Sequence, residues 1–219
     1  MDRGKNGSAR HSLVDGRGVP LSLVVVGANR HDVTQVAAVL GGKVVGQLDC
    51  EDAVDKAHTD IAFTVIHLGV SKTRGSFTDF DGTIVADGKK PENSSVSFTI
   101  KTASVNTGNT QRDDHLRSKD FFNAEKYPEI TFKSTKIAKR KGGFIADGNL
   151  TMHGVTKTVR LPFTVAGPAK GFKNELHLGV DTALTLSRKE YGLTWPAPVE
   201  ASGAVGDTIS VTISMELTK

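Results

Sequence analysis

The chain has 219 residues and a formal charge of +4, with 28 Lys and Arg against 24 Asp and Glu, spread along the sequence rather than gathered in a tract. That is length enough for a real core, and the charge does not point to nucleic acid as a partner; the single cysteine, Cys50, excludes an internal disulfide and a cysteine-based zinc cluster. No apolar run approaches the ~20 residues of a membrane span. The polar start, residues 1–10, lacks a secretory signal, so as written the chain reads as a soluble cytoplasmic product.

In chain order, residues 10–26 give a strand, a turn over Gly16-Arg17-Gly18-Val19-Pro20 and a second strand dense in Val and Leu. Asp32 then caps a short helix whose third position, Gln35, completes a capping box. A hairpin and one helix are too little for a core of their own. The stretch from Asp2 to Asp32, DRGKNGSARHSLVDGRGVPLSLVVVGANRHD, resembles an internal fragment of DDE-class insertion-sequence transposases. Such enzymes hold two metal ions on three separated carboxylates. In the family pattern those acids lie outside this fragment, and Asp15 at a turn and Asp32 at a cap have local reasons to be there. The resemblance implies an inactive remnant over residues 1–49, with a boundary near Cys50 where Gly41, Gly42 and Gly46 break the pattern.

From residue 50 onward the chain reads as strand after strand. Apolar residues alternate at Ile61, Phe63 and Val65; at Val96, Phe98 and Ile100; at Val159, Leu161, Phe163 and Val165; and at Ile209, Val211, Ile213, Met215 and Leu217. Residues 74–84 read as one strand, Ile130 and Phe132 open another, and residues 144–152 give a strand broken at Asp147-Gly148-Asn149. Pro162 needs an edge or a bulge. With the run from Leu176 to Leu186, these make about eight strands between Gly, Asn and Asp turns, the pattern of an antiparallel sandwich or up-and-down barrel.

One stretch departs from this pattern. Residues 107–132 run from the polar, charged segment 109–118 through Phe121 and Phe122 to Tyr127-Pro128 and then to Ile130 and Phe132, which predicts a short helix, an aromatic plug, a turn and a strand.

Several separated motifs now agree in order: Val54-Asp55-Lys56-Ala57-His58-Thr59, His67-Leu68-Gly69-Val70-Ser71, Arg74-Gly75-Ser76-Phe77, Arg112-Asp113-Asp114-His115-Leu116, Gly148-Asn149-Leu150-Thr151-Met152-His153-Gly154 and Ser187-Arg188-Lys189-Glu190-Tyr191-Gly192-Leu193. Over about 53–219 the chain resembles the YceI-like family of lipid- and polyisoprenoid-binding proteins. The resemblance implies an eight-stranded, lipocalin-like antiparallel β-barrel with a helical segment near its mouth. It also implies an apolar cavity for an isoprenoid chain, and export to the periplasm behind a signal peptide that this chain lacks.

On that reading the partner is a polyisoprenoid, an isoprenoid quinone or a prenyl pyrophosphate, and no cofactor is called for. A second copy of the chain is left open as a partner. The expected cavity lining is Phe63, Val65, Val96, Phe98, Ile100, Leu116, Phe121, Phe122, Ile130, Phe132, Leu161 and Phe163, each of which competes with a plain role as core. Arg112 and His115 are the head-group candidates, although a salt bridge from His115 to Asp113 or Asp114 competes for the imidazole. His58, His67, His115 and His153 lack the close spacing of common zinc ligands, so no metal site is expected from them. Ser71, Ser118 and Ser187 lack the context of a nucleophile, and no catalytic set is expected.

Overall fold

A computed structural model describes residues 13–14, 20–21, 50–87 and 90–218. The chain divides into two compact units, Met1–Lys43 and Val44–Lys219. In the first, β1 (Leu13–Val14) and β2 (Pro20–Leu21) pair antiparallel, Leu13 opposite Leu21; the residues between them lie outside the described ones. The helix expected after Asp32 lies outside the described residues.

The second unit is one antiparallel sheet of ten strands: β3 (Cys50–His67), β4 (Ser71–Phe77), β5 (Phe80–Ala86), β6 (Ser95–Lys101), β7 (Val105–Asn106), β8 (Glu129–Arg140), β9 (Gly143–Met152), β10 (Val155–Lys170), β11 (Leu176–Ser187) and β12 (Val205–Thr218). Their order is β12-β11-β10-β9-β8-β6-β5-β3-β4-β7, and β12 pairs with β3 as well, so the sheet curls round and meets itself.

The expectation of eight strands is corrected at two places. Residues 74–84 are two strands, because the chain leaves the ladder at Thr78-Asp79 and each part pairs with a different half of the long β3. Within these ladders β4 meets Ala62 to His67, and β5 meets Cys50 to Ala53. The two-residue β7, which adds to the edge of β4, is too short to leave a periodic signal.

The break expected at Asp147-Gly148-Asn149 is also absent, since β9 runs through it. The ring of Phe132 lies where a side chain at position 148 would stand, and Phe98 crosses Gly82 on the neighbouring strand in the same way. Glycine here makes room for an aromatic ring lying flat over the adjacent backbone, so it does not end the strand.

Alternation sends one face of the sheet inward. Phe80, Ile84, Phe98, Ile130, Phe132 and Ile137 pack together on the β5-β6-β8 side, all buried. Pro162 pairs with Ile145 of β9, but on its other side it stands one residue before the β10–β11 ladder begins at Phe163, so β10 is locally an edge there, as the proline requires. At the end of the barrel where β6, β9 and β11 finish, α1 (Thr110–Arg117) and α2 (Ala197–Ser202) are inserted. The first is the helix expected between residues 109 and 118, capped by Asn109 accepting from the Arg112 N–H at 3.0 Å. The second, short and without an apolar period, was not anticipated. Among the described residues, no helix is long and apolar enough to cross a membrane.

Candidate functional site

The inner face has two unlike parts. On β3, β11 and β12 the inward residues Ile61, Leu178, Val180, Met215 and Leu217 join the packed core, whereas toward the helical end of these strands and on β10 the inward Phe63, Val65, Leu161, Phe163, Leu184, Ile209 and Val211 are only half-buried. Register places Val65 opposite Ile209, Phe63 opposite Val211 and Leu184 opposite Val211, so they form one continuous apolar surface. Val65, Leu184, Ile209 and Val211 stand outside the packed core cluster. Residues facing the inside of a filled, closed barrel would be nearly inaccessible, so the partial exposure of Val65, Leu184, Ile209 and Val211 shows that they are not closed over as the phenylalanine side is.

The wall is also incomplete on the same side. The β10–β11 ladder covers only Phe163 to Lys170 against Leu176 to Thr182. Beyond it β10 pairs only with β9 and β11 only with β12, until the Lys157–Glu190 ion pair at 3.2 Å and the His153 Nδ1 contact with the Tyr191 carbonyl at 3.2 Å bridge the two sides again. Val159, Leu161, Leu184 and Leu186 flank this interval. A separate cleft of about 690 Å³ runs across β9 to β12, lined by Phe144, Ile145, Phe163 and Ile213 among others. Of the expected lining residues it includes only Phe163.

The twelve expected residues therefore divide. Phe98, Ile130, Phe132, Phe121 and Phe122 are fully buried, and Val96, Ile100, Leu116, Leu161, Phe163 and Phe63 are partly buried against the same cluster. Only Val65 lies apart from it.

The aromatic plug closes the helical end. Trp195 stacks on Phe121 with ring centroids 4.6 Å apart, Phe121 meets Phe122 edge-on at 5.1 Å, Phe122 meets Phe77 at 6.0 Å, and Phe77 meets Phe63 at 5.6 Å. This chain of rings links the helical cap to the half-open apolar face, each contact adding ~0.5–1.5 kcal/mol beyond area burial.

The two head-group candidates are already engaged. Arg112 is exposed and donates from Nε to Thr107 Oγ1 at 2.7 Å and from Nη2 to the Thr107 carbonyl at 3.0 Å, folding onto the loop before its own helix. His115 packs its ring against Trp195 at 4.9 Å, and its Nε2 lies 3.1 Å from Asp120. The expected competitors have other tasks: Asp113 is buried and accepts from the Thr107 N–H and hydroxyl, and Asp114 pairs with Arg117 at 2.9 Å.

Sequence reasoning missed the residue that holds this end together. Arg188 is 2% exposed, and all five of its N–H groups donate: to the Gly206, Leu193 and Val205 carbonyls and, in a fork, to both carboxylate oxygens of Glu200. Glu200 also accepts the Trp195 N–H at 2.8 Å, so the same carboxylate fixes α2 and the start of the tryptophan segment. The Arg188 guanidinium holds the Glu200 carboxyl down to about 2. Nothing in local spacing signals a pair twelve residues apart.

Among the described residues, three buried side-chain polar atoms have no hydrogen-bond partner within the protein: Thr102 Oγ1, the Tyr191 hydroxyl and Trp195 Nε1. Tyr191 is 1% exposed, and burial pushes its hydroxyl above its ordinary value. Orphaned donors of this kind are uncommon and call for an explanation.

A model of the YceI-like domain matches residues 53–217. A UPF0312 protein of Ectopseudomonas mendocina is 37% identical over 186 residues, covering 82% of this chain and 94% of that one. Among solved structures, the YCEI protein of Campylobacter jejuni is 35% identical, with a TM-score of 0.61 over 75% of this chain and 95% of its own. A polyisoprenoid binding domain from Saccharophagus degradans, implicated in plant cell wall breakdown, shares the fold at 16% identity and a TM-score of 0.55, over 76% of this chain and 97% of its own. With its ten-stranded antiparallel barrel wall, its helical cap and this span of matched sequence, the chain belongs to the YceI-like family.

Proposed function

We propose that this protein is a non-enzymatic binding or carrier protein for a polyisoprenoid or a related amphiphile, an isoprenoid quinone or a prenyl pyrophosphate, held against the unfilled apolar side of the barrel. The observation that carries the reading is the half-buried surface of Val65, Leu184, Ile209 and Val211 facing a densely packed phenylalanine wall. Burying each CH₂ of a tail there contributes ~0.8 kcal/mol before ordering losses, so hydrocarbon length alone can supply affinity. The unpaired interval between β10 and β11, flanked by Val159, Leu161, Leu184 and Leu186, is the proposed entry for the tail. The polyisoprenoid binding domain from Saccharophagus degradans supports the ligand class by likeness of fold.

The head group is best served by donors that lack partners. Arg112 and His115 already hydrogen-bond within the protein, whereas the Tyr191 hydroxyl and the Trp195 indole N–H have none and suit a quinone carbonyl or a phosphate oxygen.

The test is mass spectrometry of organic extracts of the purified protein, followed by uptake assays with an isoprenoid quinone and a prenyl pyrophosphate. One lipid per chain, copurified or taken up, is expected. If neither occurs, the interior is a structural core and the carrier reading is wrong.

A further inference from the structure

On the outside of the barrel, where β3 meets β12 to close the sheet, ligand-type side chains converge that the interior does not use. Asp55, His58 and Glu216 each offer one donor atom, and these all lie within 4.8 Å of one another. The backbone brings them together by a register shift: two steps along β12, from Ser214 to Glu216, are matched by five along β3, from Asp60 to Asp55. The extra residues of β3 let His58 turn back so that Nδ1 lies 2.8 Å from Asp55 Oδ2. Glu216 stands between Met215 and Leu217, both in the core, so its own side chain points outward. From the other side His177 on β11 places Nδ1 2.6 Å from Glu216 Oε1, and its Nε2 lies 3.4 Å from Glu175.

Two carboxylates balance the charge of one divalent cation and one neutral imidazole adds a third donor, leaving a fourth position for water. Calcium and magnesium prefer all-oxygen sets, whereas a mixed nitrogen and oxygen set suits zinc and its neighbours. With bonds of ~2.0–2.2 Å, tetrahedral ligand atoms lie roughly 3.4 Å apart. Small rotations of Asp55 and His58, 27% and 66% exposed, would close the present span. Glu175 is placed to hold the His177 ring as an outer carboxylate.

We propose that Asp55, His58 and Glu216 form a site for one divalent transition ion of the zinc type, bridging β3 and β12 at the closing seam of the barrel, with His177 of β11, outside that set of three, standing behind Glu216. Single-sequence spacing cannot find such a set, because only Asp55 and His58 are neighbours in the chain.

The experiment titrates zinc into the full chain after dialysis against a chelator, reading stoichiometry by calorimetry and stability by thermal melting. One equivalent is expected, with a melting temperature raised by roughly 5 °C at saturation. Glu216→Gln and His58→Ala should each weaken binding at least tenfold and remove the shift, whereas His67→Ala, outside the cluster, should keep both. Cobalt added in place of zinc should give visible absorption bands that vanish in His58→Ala, an exposed substitution that tests the site even if Glu216→Gln misfolds. Absence of zinc binding by the unaltered chain, or unchanged binding in folded His58→Ala, overturns the proposal and leaves these groups as ordinary histidine–carboxylate ion pairs.

Discussion

Arg188 shows how one buried charge can fix a whole segment. Removing one partner of a buried, fully hydrogen-bonded pair leaves the other uncompensated, at a cost of roughly 3 kcal/mol. Glu200→Gln should therefore lower the melting temperature by several degrees and loosen the Trp195 segment, seen as altered tryptophan fluorescence. The pH dependence follows from the same pair. The Glu200 carboxyl drops from its ordinary 4.5 to about 2 on folding, so its stabilisation is fully present above about 4.5 and is lost as pH falls toward 2. Glu200→Gln should be less acid-sensitive across that window than the parent; equal slopes in acid denaturation would refute the assignment. At Tyr191 the expectation runs the other way: removing a hydroxyl that has no partner should cost little stability. If that hydroxyl receives a quinone carbonyl, however, Tyr191→Phe should bind quinone about tenfold less tightly while still binding a headless polyprene equally well.

At the scale of elements, the helix at 110–117 and the aromatic plug were readable because a polar, charged run, two adjacent phenylalanines and a proline each limit the backbone in a definite way. Long strands such as β12 were readable from strict alternation. What escaped was set by tertiary contact: Gly148 looks like a strand breaker until the ring of Phe132 is placed over it, and the division of residues 71–86 depends on which half of β3 each part meets. The candidate site was legible as an apolar inner face, but not the division of that face into a filled part and an unfilled one. Every residue named for the lining is apolar and inward, and sequence does not reveal how far the opposite wall reaches. The plug makes a test of the cap as an element. Phe121→Ala removes the ring stacked on Trp195 and should cost ~3 kcal/mol, and if the cap also retains the ligand, lipid should leave the variant faster than the parent. Unchanged release from a folded variant would assign the plug to stability alone.

For the molecule as a whole, one sheet serves two opposing demands. The β5-β6-β8 side, together with Ile61, Leu178, Val180, Met215 and Leu217 from the other wall, is packed as a core and supplies stability, while Val65, Leu184, Ile209 and Val211 toward the helical end of β3, β11 and β12 keep apolar surface half-exposed, at a cost in stability. A protein under selection only for stability would close over those four side chains, so their exposure is the feature that the binding proposal has to use. Covering them artificially separates the two roles. Leu184 stands inward at the unfilled side, beside the interval where β10 and β11 do not pair, and outside the packed cluster. Leu184→Trp should be accommodated there with little loss, or even a gain, in melting temperature, whereas overpacking a filled core would cost ~1–3 kcal/mol. The same variant should lose uptake of an isoprenoid quinone, because the indole occupies the path of the tail. A strongly destabilised variant would mean that this side is packed after all. A stable variant that still takes up lipid would place the binding surface elsewhere, with the cleft beside Phe163 and Ile213 the next position to block.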